Sequence, residues 1–307
     1  MVMRNYARIY VVINPASGQP KPVLHTLNSV FHAVGVDWDV GLTRQSGDGH
    51  RLAREAVAAG ADVVAAFGGD GTVMEVASAL MGSEVPVAIL PGGTANVMSV
   101  ELGIPNDLEA AARVACDPSS QIRAVDVGRV GDQTFMLRVG LGFAAEHVIG
   151  ATREMKDQYG KLAYTVSALE ILRDLPVARY TLTLDGEQVE VTGVTCRVDN
   201  SANMGVPGLV ASRVTSVSDG LLDVTVVRDA GPESLYSMVA ASAGHGTPNP
   251  DVFFHRQARE ITIDADPPQR VIGDGEEWGE TPISVSVLPQ AVRFLVGAQP
   301  AQEEKTS

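Results

Sequence analysis

The chain has 307 residues, is 45% hydrophobic, holds two cysteines and carries a formal net charge of −14. That length suits roughly two domains with sizeable cores, and two cysteines exclude a disulfide framework or a cysteine metal site. The acidic balance argues against non-specific nucleic-acid binding, which needs cationic contacts to phosphate, so no nucleic-acid partner is expected. No run reaches the ~18 apolar residues of a membrane span and no signal-peptide core opens the chain, so a soluble, cytoplasmic protein is expected. The charge is uneven: residues 1–60 have a slight basic excess, while residues 251–280 carry eight acids and three arginines.

Arg8–Asn14 reads as a first strand and runs into the turn formers Asn14-Pro-Ala-Ser-Gly18. Val23, Leu24, Leu27, Val30, Phe31 and Val34 share one helical face, and Gly35 ends that helix. A strand over Val36–Thr43 and a helix over Ser46–Ala59 follow, the helix turning Leu52, Ala56 and Val57 inward. The apolar run Asp62–Phe67 then meets Gly68-Gly69-Asp70-Gly71-Thr72, behind which Val73, Met74, Val76, Ala77, Leu80 and Met81 fall at helical spacing. A further strand over Val85–Leu90 ends in Pro91-Gly-Gly-Thr-Ala-Asn96, and Asp107 caps an alanine-rich helix that closes near Cys116.

Alternating strands and helices predict a doubly wound parallel sheet, with ligands beyond the carboxyl ends of its strands. The turns at Asn14–Gly18, Thr43, Gly68–Thr72 and Gly92–Thr94 all follow strands and so share that edge. Taken alone, the first and last are ordinary strand-end turns. Gly68–Thr72 says more, because a structural turn has no need of an embedded carboxylate and hydroxyl. A strand, a glycine turn and a helix N-terminus form the corner that holds phosphate. No P-loop and no Gly-x-Gly-x-x-Gly after the first strand is present.

The pattern changes near Val125. Ala124–Val130 and Thr134–Val139 read as strands joined by Gly131-Asp132, and Arg179–Leu184 and Gln188–Thr192 as a hairpin on Asp185-Gly186. A helical region over 144–175 lies between the two hairpins. Short strands are expected at Val194–Val198, Leu222–Val227, Glu260–Ile263, Ile283–Val287 and Val292–Val296, with a short helix over Tyr236–Ala243. The set predicts an antiparallel β-sandwich. The expected division is 1–123 for the α/β domain and 124–297 for the sandwich, the last strand able to pack back on the first; 298–307 read as a disordered tail. Asp219-Gly-Leu-Leu-Asp223 and Asp274-Gly-Glu276-Glu277 are acidic turns whose oxygens suit Mg²⁺ or Ca²⁺, although Asp-Gly is also common at plain hairpins. The six histidines show no paired metal-ligand spacing and read as ordinary surface or core residues, as do the two cysteines as buried hydrophobes.

In this order, Asn14-Pro-x-Ser-Gly18, Gly68-Gly-Asp-Gly-Thr72, Pro91-Gly-Gly-Thr94, Asp219-Gly-Leu-Leu-Asp223 and Asp274-Gly-Glu276 resemble the motifs of the soluble diacylglycerol kinase family. That family includes bacterial lipid kinases and the sphingosine and ceramide kinases. Gly140-Leu-Gly-Phe143, Gly160-Lys-Leu-Ala-Tyr164 and Asn200 resemble its C-terminal half, so the likeness runs from Arg8 to Val296.

The resemblance implies an ATP-dependent lipid kinase with its active site between the domains. It would act on a hydroxyl of a diacylglycerol-like lipid or related lipid alcohol. ATP would be held through Asn14, Ser17, Gly18, Thr43, Gly68, Gly69, Asp70, Gly71, Thr72, Gly93 and Thr94, with Glu75 at the motif's edge. The base is implied to be Asp274 or Glu276, the sequence not choosing between them, and Asp70 is expected to organise metal and phosphate. Asp219, with oxygens near Ser216 and Leu221, matches a structural Mg²⁺ site. The implied partner is a lipid at a membrane surface, contacted peripherally; assembly is left open, a homodimer included. One departure stands out: the family's Gly-Thr-x-Asn-Asp reads Gly93-Thr-Ala-Asn-Val97 here, which weakens transfer of a diacylglycerol preference. Glu101 lies about a turn further on.

Two other classes compete. A small-molecule kinase of the NAD-kinase type shares Gly-Gly-Asp-Gly-Thr but also needs a downstream Asn-Glu and a threonine/glycine-rich segment, which are absent. A non-catalytic nucleotide or lipid sensor has no use for Asp274-Gly-Glu276.

Overall fold

The computed structural model describes residues 6–17, 22–142, 176–202, 215–228 and 251–298. The chain divides into two compact units, residues 1–125 with 290–307, and residues 126–289. Gly18, Gly160–Tyr164, the tail beyond 298 and the helical readings of 144–175 and 236–243 lie outside the described residues.

The first unit alternates strands β1 (Arg8–Ile13), β2 (Asp37–Leu42), β3 (Val63–Gly68) and β4 (Val87–Pro91) with helices α1 (Val23–Ala33), α2 (Asp48–Ala58), α3 (Asp70–Ala79), α4 (Val97–Glu101) and α5 (Leu108–Cys116). The four strands lie in the order β2-β1-β3-β4, all parallel. Every residue of β3 is buried, as expected for a central strand of a parallel sheet covered on both faces. Burying Val63, Val64 and Phe67 contributes roughly 1.5–3 kcal/mol each.

Two helices differ from their sequence expectation. On α1 the buried face is Leu27, Val30 and Phe31, whereas Leu24 and Val34 are more than half exposed. The helix stops at Ala33, so Val34 sits beyond its last turn. Helix α3 begins at Asp70, three residues before the apolar stripe. Gly69 is extended at the N-cap, and Asp70 supplies a negative charge to the first turn, where the helix dipole favours it.

The second unit is a β-sandwich whose chain enters through β5 (Gln121–Val130), followed by β6 (Gln133–Phe135), β7 (Arg138–Leu141), β8 (Ala178–Leu184), β9 (Glu187–Gly193), β10 (Thr195–Asp199), β11 (Leu222–Val227), β12 (Phe253–Ala258), β13 (Glu260–Asp266), β14 (Arg270–Gly273), β15 (Glu276–Glu280) and β16 (Ile283–Val296). One antiparallel sheet runs β12-β11-β10-β7-β14-β15. In the other, β13 lies between β16 and β8, with β9 beyond β8. Leu141, Val198, Val224 and Val271 from the first sheet meet Tyr180, Leu182, Ile261 and Ile263 from the second in one core. The β8–β9 turn has positive φ at both Asp185 and Gly186, the backbone of a two-residue hairpin turn.

Three expectations change here. The segment Thr134–Val139, expected as one strand, is two: β6 pairs with β5, and β7 joins the other sheet. Ile283–Val296, expected as two strands, is one element. Its residues from Gln290 onward belong to the first unit, where Phe294 pairs in parallel with Val87 of β4. Strand β12 carries His255, Arg256 and Gln257 and lacked the alternation that would reveal it. Both cysteines are buried and free.

Candidate active site

In the first unit the candidate residues collect at the carboxyl ends of the parallel strands. Asn14 follows β1; its backbone N–H donates to the Phe67 carbonyl at 3.0 Å, and its Nδ2 donates to Thr72 Oγ1 at 3.1 Å. Asn14 Oδ1 accepts from Ala16 N–H, and its carbonyl from Ser17 N–H, so the turn closes on Asn14 itself. Thr43, just past β2, donates its N–H to the Ile13 carbonyl at 2.9 Å.

The two glycine turns close on each other backbone to backbone. The Gly68 carbonyl accepts from Gly92 N–H at 2.9 Å and Gly93 N–H at 3.2 Å. A Cβ on Gly93 would stand 2.6 Å from Gly69 Cα, and one on Gly68 would run into the Thr72 side chain. Glycine is therefore a packing requirement at both points. A Cβ on Gly71, by contrast, would meet nothing within 4 Å. With Val73 N–H bonded to the Gly69 carbonyl, the N–H groups of Asp70, Gly71 and Thr72 have no intrahelical acceptor. An open helix start with small residues suits an anionic phosphate.

Asp70 Oδ1 accepts from Met98 N–H at 3.1 Å, tying α3 to the start of α4. Glu75 goes elsewhere: its two carboxylate oxygens accept from Gly47 N–H at 2.9 Å and Gly49 N–H at 2.7 Å, fastening α3 to the start of α2. Thr94 is exposed. Asn96 was not singled out by sequence. It adopts φ 48°, accepts from Gly93 N–H and donates to the Gly93 carbonyl, both at 2.9 Å, and reaches Asn106. The available signal was an asparagine three residues after the glycine it clasps. Val97, where the family carboxylate would stand, is buried.

In the second unit Asp274 and Gly275 form the β14–β15 turn with φ of 44° and 98°. The Asp274 carboxylate accepts from three successive amides: Met136 N–H at 2.8 Å, Leu137 N–H at 3.1 Å and Arg138 N–H at 2.9 Å. This explains why Thr134–Val139 breaks into two strands: those amides serve a carboxylate instead of a ladder. Burial pushes the Asp274 carboxyl up to about 6, against the lowering pull of the three amides and of the Arg138 charge. Glu276, two residues on, is exposed at the start of β15.

The 219–223 turn carries a crowd of carboxylates. Asp219 Oδ1 accepts from Leu221 N–H at 3.0 Å, and Asp126 Oδ2 accepts from Gly220 N–H at 2.6 Å. Partial burial, then the charges of Asp223 and Asp126, hold Asp219 above the usual carboxylate range. The Ser216 hydroxyl accepts from Ser218 N–H. Among the described residues no group of three His, Cys, Asp or Glu is placed to hold a metal. A site drawing on Asp219 and on hydroxyl and backbone oxygens has the hard donors that Mg²⁺ prefers, and a cation would relieve the repulsion around Asp219. His255, read from sequence as ordinary, bonds through Nε2 to Asp223 Oδ1 at 2.6 Å.

Residues 8–130 match the family model described as the diacylglycerol kinase catalytic domain, and residues 138–296 match one described as the YegS C-terminal NAD kinase beta sandwich-like domain. A Pseudomonas aeruginosa protein named "Probable lipid kinase YegS-like" is 30% identical over 266 residues, covering 86% of each chain. A Bacillus subtilis protein named "Diacylglycerol kinase" is 26% identical over 304 residues, 96% of this chain and 98% of that one. A solved structure from Bacillus anthracis, titled as that of a diacylglycerol kinase, has a TM-score of 0.73 at 23% identity, covering 96% of this chain and 98% of that one; it supports the fold.

Proposed function

The chain belongs to the diacylglycerol kinase family of lipid kinases, and from that premise we propose that it transfers the γ-phosphoryl group of ATP to a hydroxyl of a membrane lipid, diacylglycerol-like or a related lipid alcohol. The observation that carries the reading is the backbone closure of the Gly68–Gly69 and Gly92–Gly93 turns in front of α3. It sets the turn amides beside a helix start that is open at Gly71, where a Cβ would meet nothing within 4 Å.

Phosphoryl transfer needs little covalent help from a protein; it needs positioning, charge stabilisation and a proton acceptor. Asn14, Ser17, Thr43, Gly68–Thr72, Gly93 and Thr94 are proposed to hold the nucleotide. Asp70, fixed by Met98 N–H, would help to hold the Mg²⁺ that accompanies it. Mg²⁺, when bound, neutralises phosphate charge. Asp219, with oxygens of Ser216 and Leu221, is proposed to hold a second, structural Mg²⁺.

Of the two candidate bases we assign the role to Asp274. A carboxyl shifted to about 6 is ionised at neutral pH yet more basic than an ordinary aspartate, the compromise that suits a general base. The lipid oxygen bonds to the γ-phosphorus, its proton passes to Asp274, and ADP departs with the cleaved bond's electrons. Glu276, exposed, is proposed to border the same site.

No helix among the described residues is long and apolar enough to cross a membrane. The acceptor hydroxyl of such a lipid lies at the bilayer surface, so the proposed contact is peripheral, on the ATP-supplied cytoplasmic side. Incubation with radiolabelled ATP, Mg²⁺ and a panel of lipid alcohols in mixed micelles tests the proposal. Label in a lipid product supports it. A folded, ATP-binding protein that labels no lipid overturns it, and NADP formed from NAD and ATP would assign the NAD-kinase reaction.

A further inference from the structure

At residues 136–138, where the chain leaves β6 and enters β7, the carbonyls of Leu137 and Arg138 join the ladders to β10 and β14, but the three successive amides do not. The amides go to Asp274. The carbonyls go to the end of β10: Met136 O accepts from Asn200 Nδ2 at 2.9 Å, and Leu137 O accepts from Asn200 N–H at 2.9 Å and Ser201 N–H at 3.2 Å. Arg138 O accepts from Asp274 N–H at 3.0 Å. Arg138 then sends its guanidinium to Asp199, Nε to Oδ1 at 3.6 Å, while Asp199 Oδ2 pairs with Arg197 Nη2 at 3.1 Å. Asp199 and Asn200 have no solvent exposure.

We infer that Asp199, Arg138 and Asn200 are positioning residues for Asp274: they fix the crossing whose three amides hold its carboxylate, and Arg138 sets the charge beside it. The inference rests on Asp274 being the proton acceptor. A buried ion pair is a poor way to gain stability, since apolar residues of similar volume do as well. An apolar pair, however, places no charge next to a carboxylate. The charged groups on the elements around Asp274 are Arg138 on β7, Arg270 on β14, Glu276, Glu277 and Glu280 on β15, and Arg197 and Asp199 on β10. Among these described groups, the charge that acts on Asp274 is Arg138, and it favours the ionised form. Asp199 in turn anchors and neutralises Arg138.

The inference makes predictions of opposite sign. Arg138→Gln removes the cation and moves the acidic limb of kcat/KM against pH upward by roughly half to one unit. Arg138→Lys keeps the charge and leaves the limb near its original position while kcat falls several-fold, because a flexible ammonium does not reproduce the packing of the guanidinium beside Asp199. Asp199→Asn removes the carboxylate charge beside Arg138 and moves the limb downward. The same shifts are read without catalysis from the pH dependence of melting temperature, each variant compared with its Asp274→Asn double. Should Asp199→Asn fail to fold, the two Arg138 variants decide. Folded Arg138→Gln protein with both limb and melting titration unmoved overturns the inference. If the melting titrations shift as stated but Asp274→Asn alone retains turnover, positioning of Asp274 stands and its assignment as base is withdrawn.

Discussion

The glycine cradle of the first unit and the carboxylate turn of the second solve opposite problems. Around Gly68–Thr72 two turns meet backbone to backbone, and a side chain on Gly93 is excluded because its Cβ would stand 2.6 Å from Gly69 Cα. Around Asp274 the working group is a side chain, and backbone is diverted from a sheet to hold it. The cradle is thus specified by what is missing and the proposed base by what is collected around it. The first tolerates no added atom at Gly68 or Gly93; the second depends on three amides from a distant segment.

The sharpest way to break this comparison is Asp274→Asn. It keeps the shape but loses the proposed proton acceptor, and kcat is expected to fall by ~10²–10⁴ with the fold retained by circular dichroism. Turnover within a few-fold of the parent would remove Asp274 from the chemistry. Next comes Gly93→Ala, expected to destabilise by roughly 1–3 kcal/mol as the two turns are forced apart and to raise KM for ATP. Gly71→Ala, facing open space, should stay within about 0.5 kcal/mol of the parent in denaturant melts. Equal effects at both glycines would refute the close-approach account.

The pH dependence of stability sharpens the other side. The Asp274 carboxyl is raised in the fold from 3.8 to about 6. Its contribution is therefore complete below about pH 4 and is lost as pH rises through about 6. Relative to Asp274→Asn, the parent should lose on the order of 2 kcal/mol across that window, after discounting for its partial exposure. A flat difference would mean that the three amides outweigh burial. The smallest effect is expected at Glu75→Gln, about 1 kcal/mol of stability through weaker hydrogen bonds to the α2 start. A raised KM for ATP at unchanged melting temperature would instead assign that carboxylate to the nucleotide.

Much of the fold was legible because its signals are local. Val63–Phe67 followed by two glycines reads as a buried strand and a turn from composition alone, and Asp185-Gly186 reads as a hairpin because few other residues adopt positive φ twice in succession. The start of α3 was less legible. Asp70, Gly71 and Thr72 carry no apolar stripe, so periodicity placed the helix from Val73 onward. Asn96 was passed over because its role depends on closing back onto Gly93, which alternation and spacing do not register.

By itself the sequence determined the alternation of strand and helix, the glycine turns at strand ends, the two Asp-Gly hairpins and the order of motifs that marks the family. Each depends on φ/ψ preference or periodicity within a few residues. Only the tertiary structure decided where long-range polar partners go. It split Thr134–Val139 because a carboxylate 136 or more residues away takes its amides. It sent Glu75 to α2, and it buried Asp199 between two arginines. A hydrogen bond between distant segments leaves no period in the chain, because its geometry exists only once both segments have folded.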